Sequence, residues 1–240
     1  MKAVDLHCHL LPGVDDGPVT LDESLLYARA VVAAGTGTIV ATPHVEQVDV
    51  HELPDRVHEV RAALAAEGID LHVEVGGELK PESVAVLSDG ELEVIAHGPP
   101  GARWVLYEVP FKGVDDAFVD GAEELRRRGF AVLLAHPERS REILEAGLTR
   151  LDADLAGAPT AANVGPLLGF EGQGRHSAAI RLLEQRRPTV IATDAHPPKR
   201  PYVQEEGRGV AARGADLAYA DALITTNPAR LLVEGLPRLG

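Results

Sequence analysis

Short apolar runs alternate with amphipathic stretches along the whole chain, and the two patterns predict different elements. The runs Ala3–His7, Thr38–Ala41, Leu71–Val75, Trp104–Glu108, Ala131–Ala135, Thr160–Asn163 and Thr189–Ala192 are apolar rather than cleanly alternating. That is the pattern of strands covered on both faces in a parallel sheet. Between them, Leu21–Ala34, Leu53–Ala66, Ala117–Arg128, Glu142–Ala146, His176–Gln185 and Tyr202–Arg213 carry helix-like amphipathic patterns. Thr20-Leu21-Asp22-Glu23 has the capping-box form, in which Thr and Glu each satisfy a backbone donor at a helix start. Gly35, Gly68 and Gly129 stand where a left-handed residue closes a last turn. Thr225-Thr226-Asn227-Pro228 predicts a turn before a closing helix, Ala229–Glu234. The four glycines of Gly165–Arg175 make that stretch the most mobile loop expected. Strands alternating with helices predict an α/β fold, either an open sheet or a βα-barrel.

The polar residues at strand ends choose between these. His7 and His9 are two apart on the first strand, and Asp194 and His196 are two apart at the end of the last. In extended chain, residues i and i+2 share a face, so each pair projects together, and all four residue types bind divalent metals. Only closure makes the first and last strands neighbours, which favours the barrel. His44, Glu78, Glu108 and His136 follow or end other strands, and Asp15-Asp16-Gly17 lies in the loop after the first. In βα-barrels that end of the strands is the active face. A lone histidine there is ordinarily a capping residue, and a lone glutamate a solvated strand end. The conjunction of five of the ten histidines on one side argues instead for a multinuclear metal site. The remaining five, His51, His58, His72, His97 and His176, read as surface residues.

Composition narrows the setting. The 240 residues, 45% of them hydrophobic, suffice for one domain over residues 1–240. Cys8 is the only cysteine, which fits a reducing, cytoplasmic compartment. Acid appears before any apolar run near Met1, so no secretory signal is expected, and no run is long enough for a membrane span. A net charge of −14 with 4% aromatic residues argues against a nucleic-acid partner.

His7-Cys8-His9-Leu10-Leu11-Pro12-Gly13-Val14-Asp15-Asp16-Gly17-Pro18 is a long and specific motif. With Ala41-Thr42-Pro43-His44, Ala135-His136-Pro137-Glu138-Arg139 and Asp194-Ala195-His196, it resembles the polymerase-and-histidinol-phosphatase (PHP) superfamily. Within it, the chain is most similar to the bacterial metal-dependent protein tyrosine phosphatases of capsular and exopolysaccharide operons, the CpsB/CapC type. The resemblance runs from Val4 to about Pro228. It implies a distorted seven-stranded (β/α)7 TIM-like barrel holding three divalent metals; mixed histidine and carboxylate ligation suits Mn²⁺ first, with Fe²⁺ or Zn²⁺ as alternatives. By that resemblance His7, His9, Glu78 and Asp194 hold one metal. Glu78, Glu108 and His136 hold a second, and Asp16, His44 and His196 a third. Arg139 and Arg200 resemble the family's phosphate-contacting arginines, although Pro197-Pro198-Lys199 before Arg200 is shorter than the family pattern. The implied partner is an autophosphorylating bacterial tyrosine kinase that regulates polysaccharide export.

Four carboxylates against three divalent cations leave a site of about +2, a cationic pocket in an acidic protein. Such a pocket suits a phosphate dianion, and guanidinium forks add bidentate contacts. The chemistry read here is phosphomonoester hydrolysis by metal-activated hydroxide attack on phosphorus, with Arg139, Arg200 and His136 as the catalytic residues. A phenolate leaving group needs less protonation than an alkoxide, which favours tyrosine phosphate. A thiolate mechanism would need the His-Cys-five-residues-Arg loop, but the sixth position after Cys8 is Val14. Three other readings compete. A small-molecule phosphatase, such as a histidinol phosphate phosphatase, would share the metals. A metal-free interaction module would lose ligands that are present here. An amidohydrolase would bridge its metals with a modified lysine, yet Lys80 and Lys112 lie beyond strand ends and Glu78 takes the bridging place.

Overall fold

The computed structural model describes residues 1–147, 149, 151, 155 and 157–236. Among these lie eight strands: β1 (Ala3–Cys8), β2 (Thr36–Ala41), β3 (His72–Val75), β4 (Glu78–Leu79), β5 (Trp104–Glu108), β6 (Ala131–Ala135), β7 (Thr160–Asn163) and β8 (Val190–Ala192). They form two parallel sheets, ordered β1-β2-β3 and β4-β5-β6-β7-β8. Each of the seven expected strands is present. The eighth arises because the chain breaks after β3 at Gly76-Gly77 and resumes as β4. A Cβ on Gly77 would lie 2.7 Å from Val45 and 3.0 Å from Ile95, so only glycine passes between them.

Two isolated parallel bridges join the sheets into a ring. His44 pairs with Glu78, with Glu78 N–H donating to Pro43 O at 3.0 Å. Cys8 pairs with Ala195, and the Asp194 and His9 N–H groups donate to His7 O and Ala195 O at 2.8 and 2.9 Å. The first and last strands are therefore neighbours, as the paired ligands required. An apolar cluster of Val4, Leu6, Val40, Trp104, Leu106, Leu133, Ala161 and Val190 draws on six strands and fills the space between them. Trp104 is buried in this cluster, and its Nε1–H donates to Leu231 O at 2.8 Å. That bond ties β5 to the C-terminal helix.

Ten helices among the described residues surround the strands: α1 (Leu21–Ala33), α2 (Leu53–Ala66), α3 (Asp89–Ile95), α4 (Asp116–Arg127), α5 (Arg141–Ala146), α6 (Val164–Leu168), α7 (Gln173–Glu184), α8 (Gln204–Gly214), α9 (Leu217–Ile224) and α10 (Thr226–Glu234). The Thr20/Glu23 capping box at α1 is formed. The stretch 165–175 is not a loop. α6 and the first turn of α7 occupy most of it, with Gly169 in the left-handed conformation at the end of α6. Gly165 is there for closeness, since a Cβ would lie 2.6 Å from Glu171 and 2.7 Å from Tyr202. No described helix is long and apolar enough to cross a membrane.

Two of the histidines read as surface residues are not. His176 is half-buried, and its ring Nδ1 bonds Pro166 O at 3.0 Å. His97 pairs its backbone with Trp104, sets its ring tilted at 5.1 Å from the indole, and leaves Nε2 without a partner. Burial pushes its pKa down to about 4. Between that value and the unfolded value near 6.5 the unfolded chain binds the extra proton, so stability falls as pH drops through this window. Urea titrations of metal-free protein at pH 7 and pH 4 should show His97→Leu losing about 3 kcal/mol less than the native chain. Equal losses would mean that His97 is not buried neutral.

Candidate metal centre

All nine expected ligand residues converge at the C-terminal ends of the strands. Four overlapping groups hold them, each with ligand atoms within 4.8 Å of one another: His9, Asp16, His44 and His196; His7, His9 and Asp194; His7, Glu78 and His136; His44, Glu78 and Glu108. The partition differs from the implied one in detail. Glu108 gathers with His44 and Glu78 rather than with His136, and His9 is shared between two groups.

The backbone brings each side chain in by a different device. Pairing of β1 with β2 slips between Asp5 and Cys8, so His7 and His9 turn toward the site although Val4 and Leu6 face the apolar interior. Their Nε2 atoms lie 3.4 Å apart. The Asp194/His196 pair was expected from strand alternation, but β8 ends at Ala192. Asp194 instead sits at φ 47°, in the left-handed region, and His136 after β6 sits at φ 37°. Of three non-glycine residues with positive φ among the described residues, two are therefore ligand candidates, a form of backbone strain that gathers at functional sites. Asp5 clamps the first strand to the last, accepting from Thr193 N–H at 3.1 Å, Thr193 Oγ1–H at 2.5 Å and His7 N–H at 3.3 Å. Burial raises Asp5 to about 6.

The electrostatics are those of a site built around cations. Burial and the neighbouring Glu78 push Glu108 up to about 8. Burial also works against ionised Asp194, but His7, His9 and Arg139 outweigh it and hold its carboxyl far below the usual range. Burial and then the adjacent His9 lower His196 to about 4. His9 is oriented by Asp15, to which its Nδ1–H donates at 2.6 Å, leaving Nε2 directed at Asp194 and Glu78, both 3.5 Å away. A carboxylate fixing one imidazole nitrogen so that the other faces inward is the usual support of a metal-binding histidine. Crowded carboxylates that resist ionising together, imidazoles aimed at a common centre, and a mixed N/O donor set all fit divalent metal ions.

Sequence reasoning passed over Asp15 in favour of its neighbour. Asp15 is buried and also accepts from the Gly17 and His44 N–H groups, whereas Asp16 is largely exposed, 3.0 Å from His196 and 3.7 Å from His44. Asn163, Glu138 and Glu171 were missed as well. Asn163 donates to Asp194 at 2.9 Å, Glu138 accepts from Asn163 N–H at 2.7 Å, and Glu171 stands 3.1 Å from Arg139 Nε. Arg139 also donates through Nη1 to Asp194 at 2.6 Å. Arg200 folds back through an antiparallel bridge to His196, which places its Nη2 2.6 Å from the His196 ring in spite of the short segment before it. Both arginines, with seven of the nine ligand candidates, line one cavity of about 460 Å³.

A family profile described as capsular polysaccharide synthesis, CpsB/CapC, matches residues 3–233. The chain belongs to the CpsB/CapC family. The tyrosine-protein phosphatase YwqE of Bacillus subtilis is 30% identical over 239 residues, spanning 95% of this chain and 91% of the relative. A Staphylococcus aureus relative named a putative tyrosine-protein phosphatase CapC is 25% identical, over 85% of this chain and 81% of its own. Among solved structures, one from a study of YwqE and of CpsB from Streptococcus pneumoniae, described as unique metal-dependent tyrosine phosphatases, superposes with a TM-score of 0.81. It is 28% identical and covers 98% of this chain and 97% of that one. An Escherichia coli phosphotriesterase homology protein shares the fold alone, at TM-score 0.61 and 12% identity over 95% and 98% of the two chains.

In this CpsB/CapC chain, Cys8 is wholly buried within the apolar cluster that holds Leu10, Leu11 and Ala41. Burial, reinforced by Asp5, raises its thiol well above the ordinary value, the opposite of a thiolate nucleophile. Cys8→Ser should keep kcat within about threefold, and iodoacetamide should leave the native protein active. Inactivation by the reagent in a folded, metal-loaded sample would reinstate a thiol mechanism.

Proposed function

We propose that this chain is a single-domain, metal-dependent protein-tyrosine-phosphatase working in the cytoplasm on a bacterial tyrosine kinase of polysaccharide biosynthesis. The observation that carries the reading is the convergence of nine candidate metal-binding side chains, seven of which line a cavity together with two arginines. The family and its named relatives point the same way. We assign three divalent ions, Mn²⁺ first, to His7, His9, Asp16, His44, Glu78, Glu108, His136, Asp194 and His196.

When bound, such ions supply Lewis acidity at the phosphoryl oxygens and acidify a water for attack on phosphorus. The protein's own part is binding and orientation. Arg139 has five N–H donors, of which Nη1 is engaged by Asp194 and Nε faces Glu171, so its outer edge remains for a phosphoryl oxygen. Arg200, fixed through its backbone to His196, approaches from another strand end. Two guanidinium groups from separate strand ends restrict the ester's rotation and keep the scissile bond in line with the attacking oxygen. His136, held 2.8 Å from Glu78 by its left-handed backbone, aims its imidazole into the same cavity.

The test strips the protein with a chelator, restores Mn²⁺, Fe²⁺ or Zn²⁺ separately, and measures turnover of a phosphotyrosine peptide and of histidinol phosphate. Turnover should require the metal, and kcat/KM should favour the peptide by about tenfold or more. A preference for histidinol phosphate would replace the reading with a small-molecule phosphatase.

A further inference from the structure

We infer that Phe111 reads the aromatic ring of the leaving group and so makes the site selective for aryl over alkyl phosphate esters, an inference that rests on the phosphatase reading above. Of the sixteen residues lining the 460 Å³ cavity, thirteen are charged residues or histidines; Phe111 is its one phenyl side chain, with Pro110 and Pro81 as the other apolar members. That volume exceeds what a bare phosphate needs and lies in the range that takes a small organic group as well. Phe111 is 45% exposed and, of the nine large apolar side chains left to solvent among the described residues, is the one that lines this cavity.

Its position is built, not incidental. β5 ends at Glu108, so the strand that delivers a ligand candidate also delivers Phe111 three residues later. The turn is pinned on both sides, by Gly113 N–H donating to Pro110 O at 3.2 Å and by Arg141 N–H donating to Phe111 O at 2.9 Å. The ring lies 5.8 Å from the His136 imidazole, and the Arg139 guanidinium stands 4.8 Å from its centroid. The Arg175 guanidinium stands 5.7 Å from it. With Arg139 over the Phe111 ring, an ester gripped by that arginine puts its first leaving-group atoms beside Phe111. A phenyl ring there gains an aromatic pair, and a serine or glycerol ester has no comparable surface to offer.

Phe111 could instead act only by steadying Arg139 through its ring face, and the experiment separates the two. Calorimetric dissociation constants of phenylphosphonate and methylphosphonate are measured on Mn²⁺-loaded native protein, Phe111→Ala, Phe111→Leu and Phe111→Tyr. Both ligands carry the same anionic head, neither is hydrolysed, and only one carries a ring. The native protein should prefer phenylphosphonate. Phe111→Ala and Phe111→Leu should each shrink that preference about 3- to 10-fold, and Phe111→Tyr should retain it. Phe111→Leu keeps an apolar side chain of similar bulk and decides the matter if the alanine variant does not fold. Equal weakening of both ligands would assign Phe111 to support of Arg139 and overturn the inference, as would an unchanged ratio. The phosphatase reading fails separately, through absent turnover of phosphotyrosine peptide by native enzyme, because the phosphonate ratio requires no catalysis.

Discussion

Glu78→Gln should lower kcat/KM on a phosphotyrosine peptide by on the order of 10³-fold and reduce the number of metal ions retained after dialysis. Glu78 stands at the crossing of the site. Its Oε1 lies 2.8 Å from His136 Nε2 and 3.5 Å from His7 Nε2; its Oε2 lies 3.0 Å from His44 Nδ1 and 3.5 Å from His9 Nε2. Burial disfavours its charge, but His7, His136 and His44 outweigh burial and hold it well below the ordinary carboxylate range. Glutamine keeps the shape and removes the charge, so the packing of β4 survives while the shared anionic donor is lost. Loss of a merely supporting residue around a metal costs about 10- to 100-fold, and a donor common to two of the four groups should cost more. Elemental analysis alongside kinetics checks it. Full metal content with turnover within tenfold of native would remove Glu78 from the site's function.

The cost of building such a site explains several features of the fold. Nine ionisable side chains are drawn together, most of them buried, and two sit on left-handed backbone. An arrangement of this kind is held only where the surroundings over-determine it. Here the Asp5–Thr193 clamp joins the chain's two ends, Asp15 fixes His9, and Asn163 with Arg139 fixes Asp194. Asp15 and Asn163 have no other evident service than to aim a neighbour, whereas Arg139 also lines the cavity.

The architecture was largely legible in the sequence because its signal is local. Runs such as Trp104–Glu108 and Ala131–Ala135 are apolar throughout, and strands buried on both faces leave no other pattern. Helices α3, α6 and α9 escaped notice because they are short and their cues compete with glycine, proline or flanking polar residues. Ser88 and Glu91 form a capping box at α3, a cue that was there to be read. Ligand candidates were legible for a related reason, since histidines and carboxylates at strand ends stand out against apolar runs. What aims them was not. Glu171 and Asn163 approach through loop geometry and β-pairing between residues far apart in sequence, and no periodicity announces either. Nor did alternation foretell the left-handed turn at Asp194, which replaces the extended geometry that first suggested its partnership with His196.

Arg139→Lys should lower kcat/KM on phosphotyrosine peptide by about 10²-fold, mostly through KM, while metal content stays at the native level. A guanidinium is needed because one group must satisfy three demands at once. It pairs with Asp194 through Nη1, faces Glu171 through Nε, and lies over Phe111, with its remaining N–H edge toward the cavity. A lysine ammonium is a single point of charge and can neutralise Asp194 or approach the phosphoryl group, not both in fixed geometry. Burial works against the Arg139 cation, but Asp194 and Glu171 outweigh it, and lysine is likewise cationic, so the substitution tests geometry rather than the loss of a charge. The prediction is sharpened by Glu171→Gln, which leaves the guanidinium in place but removes one of its anchors, and should give a smaller loss of about 3- to 10-fold. Should Arg139→Lys bind inorganic phosphate and turn over peptide like the native protein, Arg139 serves only to balance Asp194, and the phosphoryl group must be held by Arg200 and the metal site alone.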